Sequence, residues 1–407
     1  MKERAQRAIA ECQQIALMTE DPGRITRRFL TTPVHDVHAL LRVRMEALGM
    51  TVRVDAAGNL RGVWQPPGEG VKRLVLGSHI DTVPDAGAFD GVLGVTLALE
   101  WVSLAQEIET PFGIEVIAFS EEEGVRFGVP FIGSQAVAGR FDRALLTRRD
   151  ASGITMEEAI RAFGLDPAGI DEAGAEEDSI GFVEVHIEQG PVLEAEGLSL
   201  AVVTGIVGQS RVNLEFAGQA NHAGTTPMHL RHDALAGAAE WIAAVEAQAQ
   251  QINGLAATVG KIEVTPNADN VIAGTTQMTL DARHAHDASR AAAVDALLET
   301  ANAIAARRGL ALQFERTMDQ PAVAMDERLT ELLSESMVAE GFAAKRMPSG
   351  AGHDAMVMAS RMPAAMLFLR SPGGISHSPA ETVREEDVEA SLRVARKFLE
   401  RLAAEVR

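Results

Sequence analysis

The chain has 407 residues, 46% apolar and 23% charged, which is enough for two domains with apolar cores and is ordinary for a globular protein. Thirty-seven basic against 57 acidic residues give a formal net charge of −20. That balance argues against a nucleic-acid partner, because such binding rests on Lys and Arg neutralising phosphates. No run of about 18 apolar residues reads as a membrane span.

Met1-Lys2-Glu3-Arg4 mixes charges with no apolar segment after it, so no secretory signal is read and the expectation is a cytoplasmic protein. Cys12 is the sole cysteine, which excludes an intrachain disulfide and a thiolate metal cluster. Tyrosine is absent, so none can act as an acid or oxyanion donor. Pro33 to Met50 carries Val34, Val37, Leu40, Leu41 and Leu48 at helical spacing. Thr51 to Val54 alternates as a strand would, and Asn59 to Trp64 reads as the next one. Arg73 to Gly77 is a short buried strand, Gly91 to Leu104 a helix, and Ile114 to Phe119 another strand. Thr155-Met156-Glu157-Glu158 has the form of a capping box opening a helix. Val183 to Ile187 is strand again. This alternation predicts an α/β domain with parallel pairing.

Near Gly205 the pattern changes. Residues 209–217 and 275–283 alternate as half-buried strands, and 231–250 and 288–308 read as helices, the first rich in alanine. From Gly352 to Leu369 the chain returns to a helix and then a strongly apolar strand. The expected organisation is a discontinuous domain, 1–205 with 325–407, around an inserted α+β domain, 206–324. The first has a mixed, mainly parallel sheet flanked by helices.

Candidate chemistry gathers at four places: His79-Ile80-Asp81 running on to Asp90, Glu121-Glu122-Glu123, His186, and His377 in Ser376-His377-Ser378. Each supplies a His or carboxylate, the ligands divalent metals take at nitrogen/oxygen sites, and their number is that needed for two metals sharing one ligand. Individually each has a plainer explanation. His79 can be a loop histidine, with Asp81 holding its imidazole or not. Asp90, just before a helix, can be an N-cap. Three adjacent glutamates are usually a solvated charge run, although here they follow a strand and precede Gly124. Together, at strand ends, they favour a site.

With these residues in view, the chain closely resembles the amidase branch of the bimetallic aminoacylase/carboxypeptidase superfamily (peptidase M20-like). That branch comprises allantoate amidohydrolase, N-carbamoyl-L-amino-acid hydrolase and β-ureidopropionase. The motifs are Gly77-Ser78-His79-Ile80-Asp81-Thr82-Val83, Phe89-Asp90-Gly91, Glu121-Glu122-Glu123-Gly124-Val125-Arg126-Phe127, His186-Ile187-Glu188-Gln189-Gly190, Asn221-His222-Ala223-Gly224-Thr225-Thr226-Pro227-Met228, Gly350-Ala351-Gly352-His353-Asp354-Ala355 and Ile375-Ser376-His377. They extend over nearly the whole chain.

The resemblance implies two divalent metals per subunit, manganese or zinc, with cobalt or nickel as alternatives. His79, Asp90 and His186 would hold one; Asp90, Glu123 and His377 would hold the other. Glu122 would be the general base, with Glu121/Glu122 as the alternative base and ligand pair. Asp81 would serve catalysis through His79. Gln189, Asn270, Arg283, Gly352 and His353 would contact substrate, Arg283 by pairing with a carboxylate. His222 would polarise the scissile carbonyl in a neighbouring subunit's site, which implies a homodimer with the inserted domain as lid and dimerisation domain.

The implied activity is hydrolysis of the ureido C–N bond of a small ureido acid. Residues Arg24 to Thr31 resemble the corresponding segment of allantoate amidohydrolases, which points to allantoate. N-carbamoyl-L-amino-acid hydrolase and β-ureidopropionase are the alternatives. A dipeptidase, an acylase, or a non-catalytic metal-binding homologue are more remote ones.

Overall fold

Apolar runs bounded by turn residues build the strands at the centre of this protein. The structure is a computed structural model that describes residues 1–68, 71–175 and 179–406. The chain divides into two compact units, Met1–Thr204 with Ala324–Arg407, and Gly205–Val323.

In chain order the elements up to the end of the first unit's leading segment are α1 (Lys2–Ala16), α2 (Thr32–Ala47), β1 (Thr51–Val54), β2 (Leu60–Trp64), β3 (Arg73–His79), α3 (Val92–Ile108), β4 (Gly113–Phe119), α4 (Ile132–Val137), α5 (Met156–Ala162), β5 (Ser179–Ile187), α6 (Val192–Ala195) and β6 (Leu200–Ile206). There follow β7 (Gly208–Ala217), α7 (Ala234–Gln251), β8 (Ala256–Thr265), β9 (Thr275–His284), α8 (Asp287–Arg308) and β10 (Ala311–Gln320). The closing segment holds β11 (Val323–Ala324), α9 (Glu327–Ala339), β12 (Arg346–Ser349), α10 (Asp354–Met358), β13 (Ala364–Leu369) and α11 (Glu385–Val406).

The large sheet has the order β1-β2-β4-β3-β5-β13-β6-β11, with β12 beside β6. Its centre is parallel: β3 pairs with β4 and β5, and β5 with β13. Its flanks, β1-β2, β2-β4 and β13-β6, are antiparallel. Every residue of β4 and of β13 is buried, as expected for parallel strands covered on both faces. Helix α3 packs on β3 and β5. It is buried on nearly all sides, and its Glu100, fully buried, takes ion pairs from Arg4 and Arg7 of α1 and from Arg44 of α2. One carboxylate thus ties both N-terminal helices to the central helix. The capping box at Thr155 is present, with Thr155 and Glu158 each accepting the other's backbone amide.

The second unit is an antiparallel sheet, β10-β7-β9-β8, with α7 and α8 against it. Its core follows strand alternation: Val212, Leu214 and Phe216 of β7 and Met278, Leu280 and Ala282 of β9 pack with Trp241 and Leu297. Trp241 is fully buried, and its indole N–H donates to the Leu297 carbonyl at 2.9 Å. No helix among the described residues is long and apolar enough to cross a membrane.

Candidate metal centre and active site

Because β4, β3, β5 and β13 run parallel, their carboxyl ends share one edge of the sheet. Strand β3 ends on His79, and β4 leads through Ser120 into Glu121-Glu122-Glu123. Strand β5 carries His186 beside its last residue, and β13 leads into the loop that bears His377. Asp90 lies between β3 and α3. Loops at such an edge open onto a crevice, so the fold itself collects the candidate ligands.

Four donor groups form there among the described residues, each with its ligand atoms within 4.8 Å of one another: His79, Asp90 and His186; Asp90, Glu123 and His377; His79, Glu122 and Glu123; and Glu184, His186 and His353. Asp90 Oδ1 lies 3.2 Å from His186 Nε2 and 3.7 Å from His79 Nε2. Asp90 Oδ2 lies 3.2 Å from His377 Nε2, which is itself 3.4 Å from Glu123 Oε1. One carboxylate therefore offers an oxygen to each side. It caps nothing: the N-cap of α3 is Gly91, at φ 67°.

The imidazoles are oriented from behind. His79 Nδ1 is 3.0 Å from the Asp81 carbonyl, and His186 Nδ1 is 2.9 Å from the Ile187 carbonyl. A carbonyl can only accept, so each Nδ1 carries a proton and each Nε2 faces Asp90. Asp90 Oδ1 and His186 Nε2 are buried without a hydrogen-bond partner. A buried carboxylate oxygen facing imidazole Nε2 atoms is balanced only by a proton or a cation between them. The donor set, imidazole and carboxylate, suits a divalent metal, so the residues fit the ions that the sequence implies.

Charge follows the same logic. Burial opposes protonation of His79, but Asp81, Asp90 and Glu122 outweigh it and hold its pKa well above the usual value. Burial would raise Asp90, yet His186, His377 and His79 hold it well below the carboxylate range. Burial raises Glu122 far above its ordinary value; His79 opposes this, while Glu123 and Asp354 add to it. Glu123 is pushed to about 7, by burial first and Asp90 in addition, against His79. Such carboxylates would rather hold a proton or face a cation than stay bare.

The acidic triplet diverges. Glu121 is fully buried and accepts the Arg126 amide at 3.1 Å, and it joins none of the four donor groups, whereas Glu122 and Glu123 share one. Asp81 reaches both His79 and the acidic turn. Its carboxylate is 3.5 Å from His79 Nδ1, and the closer contact to that ring comes from its own carbonyl. The carboxylate also accepts the amides of Glu122 and Glu123, both at 3.0 Å, and so fixes the turn carrying those two side chains.

Gln189 is at the centre, its Nε2 donating to Asp90 Oδ2 at 3.0 Å and lying 3.3 Å from both Ser376 Oγ and His377 Nε2. His353 is buried behind His186, ring edge to ring face at 4.4 Å, with its Nε2 2.9 Å from Ser349 Oγ. Gly352 packs against the ring of Phe131.

His222, Asn270 and Arg283 belong to the second unit. His222 is exposed, and its Nδ1 accepts the amides of Gly224 and Thr225 at 3.0 and 3.2 Å. The ring proton therefore sits on Nε2. Asn270 is exposed and holds this loop through its carbonyl, which accepts the Ala223 amide at 2.9 Å. Arg283 on β9 pairs with Asp281, Nε to Oδ1 at 2.8 Å and Nη2 to Oδ2 at 3.3 Å.

Two residues beside the ligands are not evident from pattern alone. Glu184, two residues before His186 on the same strand face, accepts Ser78 Oγ at 2.8 Å and the Ala355 amide at 2.9 Å. A lone acid inside an apolar strand is the signal that could have found it. Glu381 contacts the backbone of Asp90, and its signal is its place four residues after His377.

A family model described as "Peptidase family M20/M25/M40" matches residues 75–401. The chain belongs to this family. It is a hydrolase of C–N bonds. Among similar proteins, an allantoate deiminase of Arabidopsis thaliana is 37% identical over 97% of this chain and 81% of its own length. An N-carbamoyl-L-amino acid amidohydrolase of Geobacillus stearothermophilus is 38% identical over 90% of each chain. Among solved structures, a hydantoinase/carbamoylase-family amidase of Burkholderia multivorans is 33% identical over 98% of both chains, with a TM-score of 0.92.

Proposed function

We propose that this protein is a two-metal amidohydrolase that cleaves the ureido C–N bond of allantoate. The observation that carries the reading is Asp90, one oxygen toward His79 and His186 and the other toward His377 and Glu123, with Glu122 alongside. His79, Asp90 and His186 would hold one ion and Asp90, Glu123 and His377 the second, manganese or zinc, with cobalt or nickel admitted by the same donors. Bound there, divalent cations lower the pKa of water and polarise a carbonyl.

In this reading Glu122 takes the proton of the water that attacks the ureido carbonyl. His222 donates its Nε2 proton to the carbonyl oxygen as charge develops. Arg283 pairs with the substrate carboxylate, exchanging Asp281 for it, and Asn270, Gln189 and the Gly352 backbone orient the ureido group. Glu122 then returns the proton to the departing nitrogen, and the carbamate falls to carbon dioxide and ammonia. Residues 206–324 act as lid and dimerisation domain, His222 serving the partner subunit's site in a cytoplasmic homodimer; a fully active monomer would refute that part.

Two supports favour allantoate: the segment Arg24 to Thr31, and the allantoate-acting names among the relatives. A carbamoyl amino acid is the second reading, favoured by relatives named for that substrate. The test is ammonia release from manganese- or zinc-loaded protein on allantoate, N-carbamoyl-L-methionine and N-carbamoyl-β-alanine at matched concentrations. Much faster turnover of allantoate supports the proposal. Preference for a carbamoyl amino acid replaces it with the second reading, and metal retention with no turnover on any of the three overturns the ureido-acid reading.

A further inference from the structure

The two loops that carry Asp90 and His377 are joined by a single side chain. Glu381 is buried, and its Oε1 accepts the backbone amides of Phe89 at 2.9 Å and Asp90 at 3.0 Å. Its Oε2 lies 3.2 Å from Ser376 Oγ, and that hydroxyl is also 3.2 Å from Asp90 Oδ2. Gln189 completes the circuit, since its Nε2 reaches Asp90 Oδ2, Ser376 Oγ and His377 Nε2. The Glu381 amide donates to the Ser378 carbonyl at 3.0 Å, which closes the turn just after His377. Gly87 makes room for this carboxylate, because a Cβ there would overlap it.

The chemistry of the arrangement is directional. A carboxylate accepting two successive amides fixes the peptide plane between Phe89 and Asp90, and therefore the direction in which the Asp90 side chain leaves the backbone. Its other oxygen engages the residue immediately before His377. Asp90 and His377 come from segments 287 positions apart in the chain, and of all the candidate ligands these two lie farthest apart in sequence while facing each other at 3.2 Å. Their mutual placement needs a tie of its own, because Asp90 precedes α3 and His377 sits in a loop beyond β13. His79 and His186, by contrast, are built into neighbouring strands and are oriented by their own local carbonyls.

We infer that Glu381 is a positioning residue for the second metal, holding Asp90 Oδ2 and His377 at the separation that ion requires, while the site of His79 and His186, which shares Asp90 but not the tie through Ser376, depends on it less. The inference rests on the two-metal reading above and adds a residue and a site preference to it. Partners of this kind, one step behind the ligands, change metal affinity about 10–100-fold when removed.

The test uses the full-length protein, Glu381→Ala, Glu381→Gln and Ser376→Ala. Metal per protomer is measured by mass spectrometry after gel filtration, and affinities by competition with a coloured chelator for manganese and zinc. Wild type is expected to hold two equivalents. Glu381→Ala should keep the tight equivalent and bind the other about 10–100-fold more weakly. Glu381→Gln retains a carbonyl oxygen for the two amides and an N–H for Ser376 Oγ, so it should recover most of the lost affinity. Ser376→Ala should weaken the same equivalent by a smaller factor.

Wild-type affinity at both sites in Glu381→Ala overturns the inference. So does equal loss at both sites in Glu381→Gln, which would mark a general structural role. Wild-type protein that binds no metal at all overturns the two-metal reading beneath it, and is told apart because it appears before any variant is made.

Discussion

Gly91→Ala puts the placement of His79 to a direct test. Gly91 has φ 67°, and a Cβ added there would stand 2.5 Å from Cγ, Cδ2 and Cε1 of the His79 ring, over its face. Ordinary contact begins at 3.4 Å, so the ring would have to retreat by about 0.9 Å. Metal–ligand distances tolerate about 0.2 Å. The displaced Nε2 therefore leaves bonding range, and affinity at the site shared with Asp90 and His186 should fall at least about 10–100-fold, the range seen when only an outer partner is lost. The left-handed backbone adds about 1–2 kcal/mol of destabilisation. Gly139→Ala is the control: it has φ 71° and open space around the added atom, so it should lose similar stability with no loss of metal affinity. Affinity is read by chelator competition and stability by denaturant melts of chelated protein. Wild-type affinity in Gly91→Ala, or equal losses in the two variants, would refute the argument from the His79 contact.

Glu122→Gln should retain both metals and lose about 10²–10⁴ in turnover, as removal of a positioned base does; undiminished turnover in metal-replete protein would contradict the assignment. Exhaustive chelation should lower the melting temperature and metal should restore it, by about 2.7 kcal/mol at a hundredfold excess over the dissociation constant. A melt indifferent to metal would mean that the Asp90 cluster binds none. Burial, with smaller contributions from His35 and Arg42, pushes the His38 imidazole down to about 3. The unfolded chain protonates this group below about 6.5 while the folded one does not, so stability should fall as pH drops from 6.5 toward 3, by about 2 kcal/mol at pH 5. His38→Leu should flatten that slope in urea titrations, and an unchanged slope would place the pH sensitivity elsewhere.

Much of the fold can be read from the sequence where burial is complete. The apolar runs at Leu74 to Leu76, Ile114 to Phe119 and Ala364 to Leu369 are the parallel centre of the sheet, and each is followed by a candidate ligand segment. The alternation at 209–217 and 275–283 gives β7 and β9, because a helix pair covers one face only. Their neighbours β8 and β10 escape the same reading, since they are exposed along most of their length and carry little of the core pattern. Of the candidate site, the residues brought together are His79, Asp90, Glu122, Glu123, His186, Gln189, His353 and His377. The division of labour among three identical glutamates is invisible in a run of glutamates, because it depends on which way the turn after β4 sends each side chain, and Asp81 sets that turn through two amides. Whether Asp90 caps α3 or faces the ligands is likewise decided by the left-handed Gly91, not by composition. Glu381 offers only its place four residues after His377, being a single acid whose partners include two backbone amides 292 and 291 positions away.

The convergence of four strand ends on one edge has a consequence for how variants of this protein will behave. Donors at 79, 90, 123, 186 and 377 draw on nearly the whole length of the first unit, so no fragment of it presents a complete set. Bound metal would then act as a reserve for the entire sheet, worth about 4 kcal/mol at a thousandfold excess over the dissociation constant. Core substitutions costing less than that would be silent in metal-rich medium and disabling in chelated medium. The tolerance of this sequence to mutation would therefore depend on the metal supply in which it is scored.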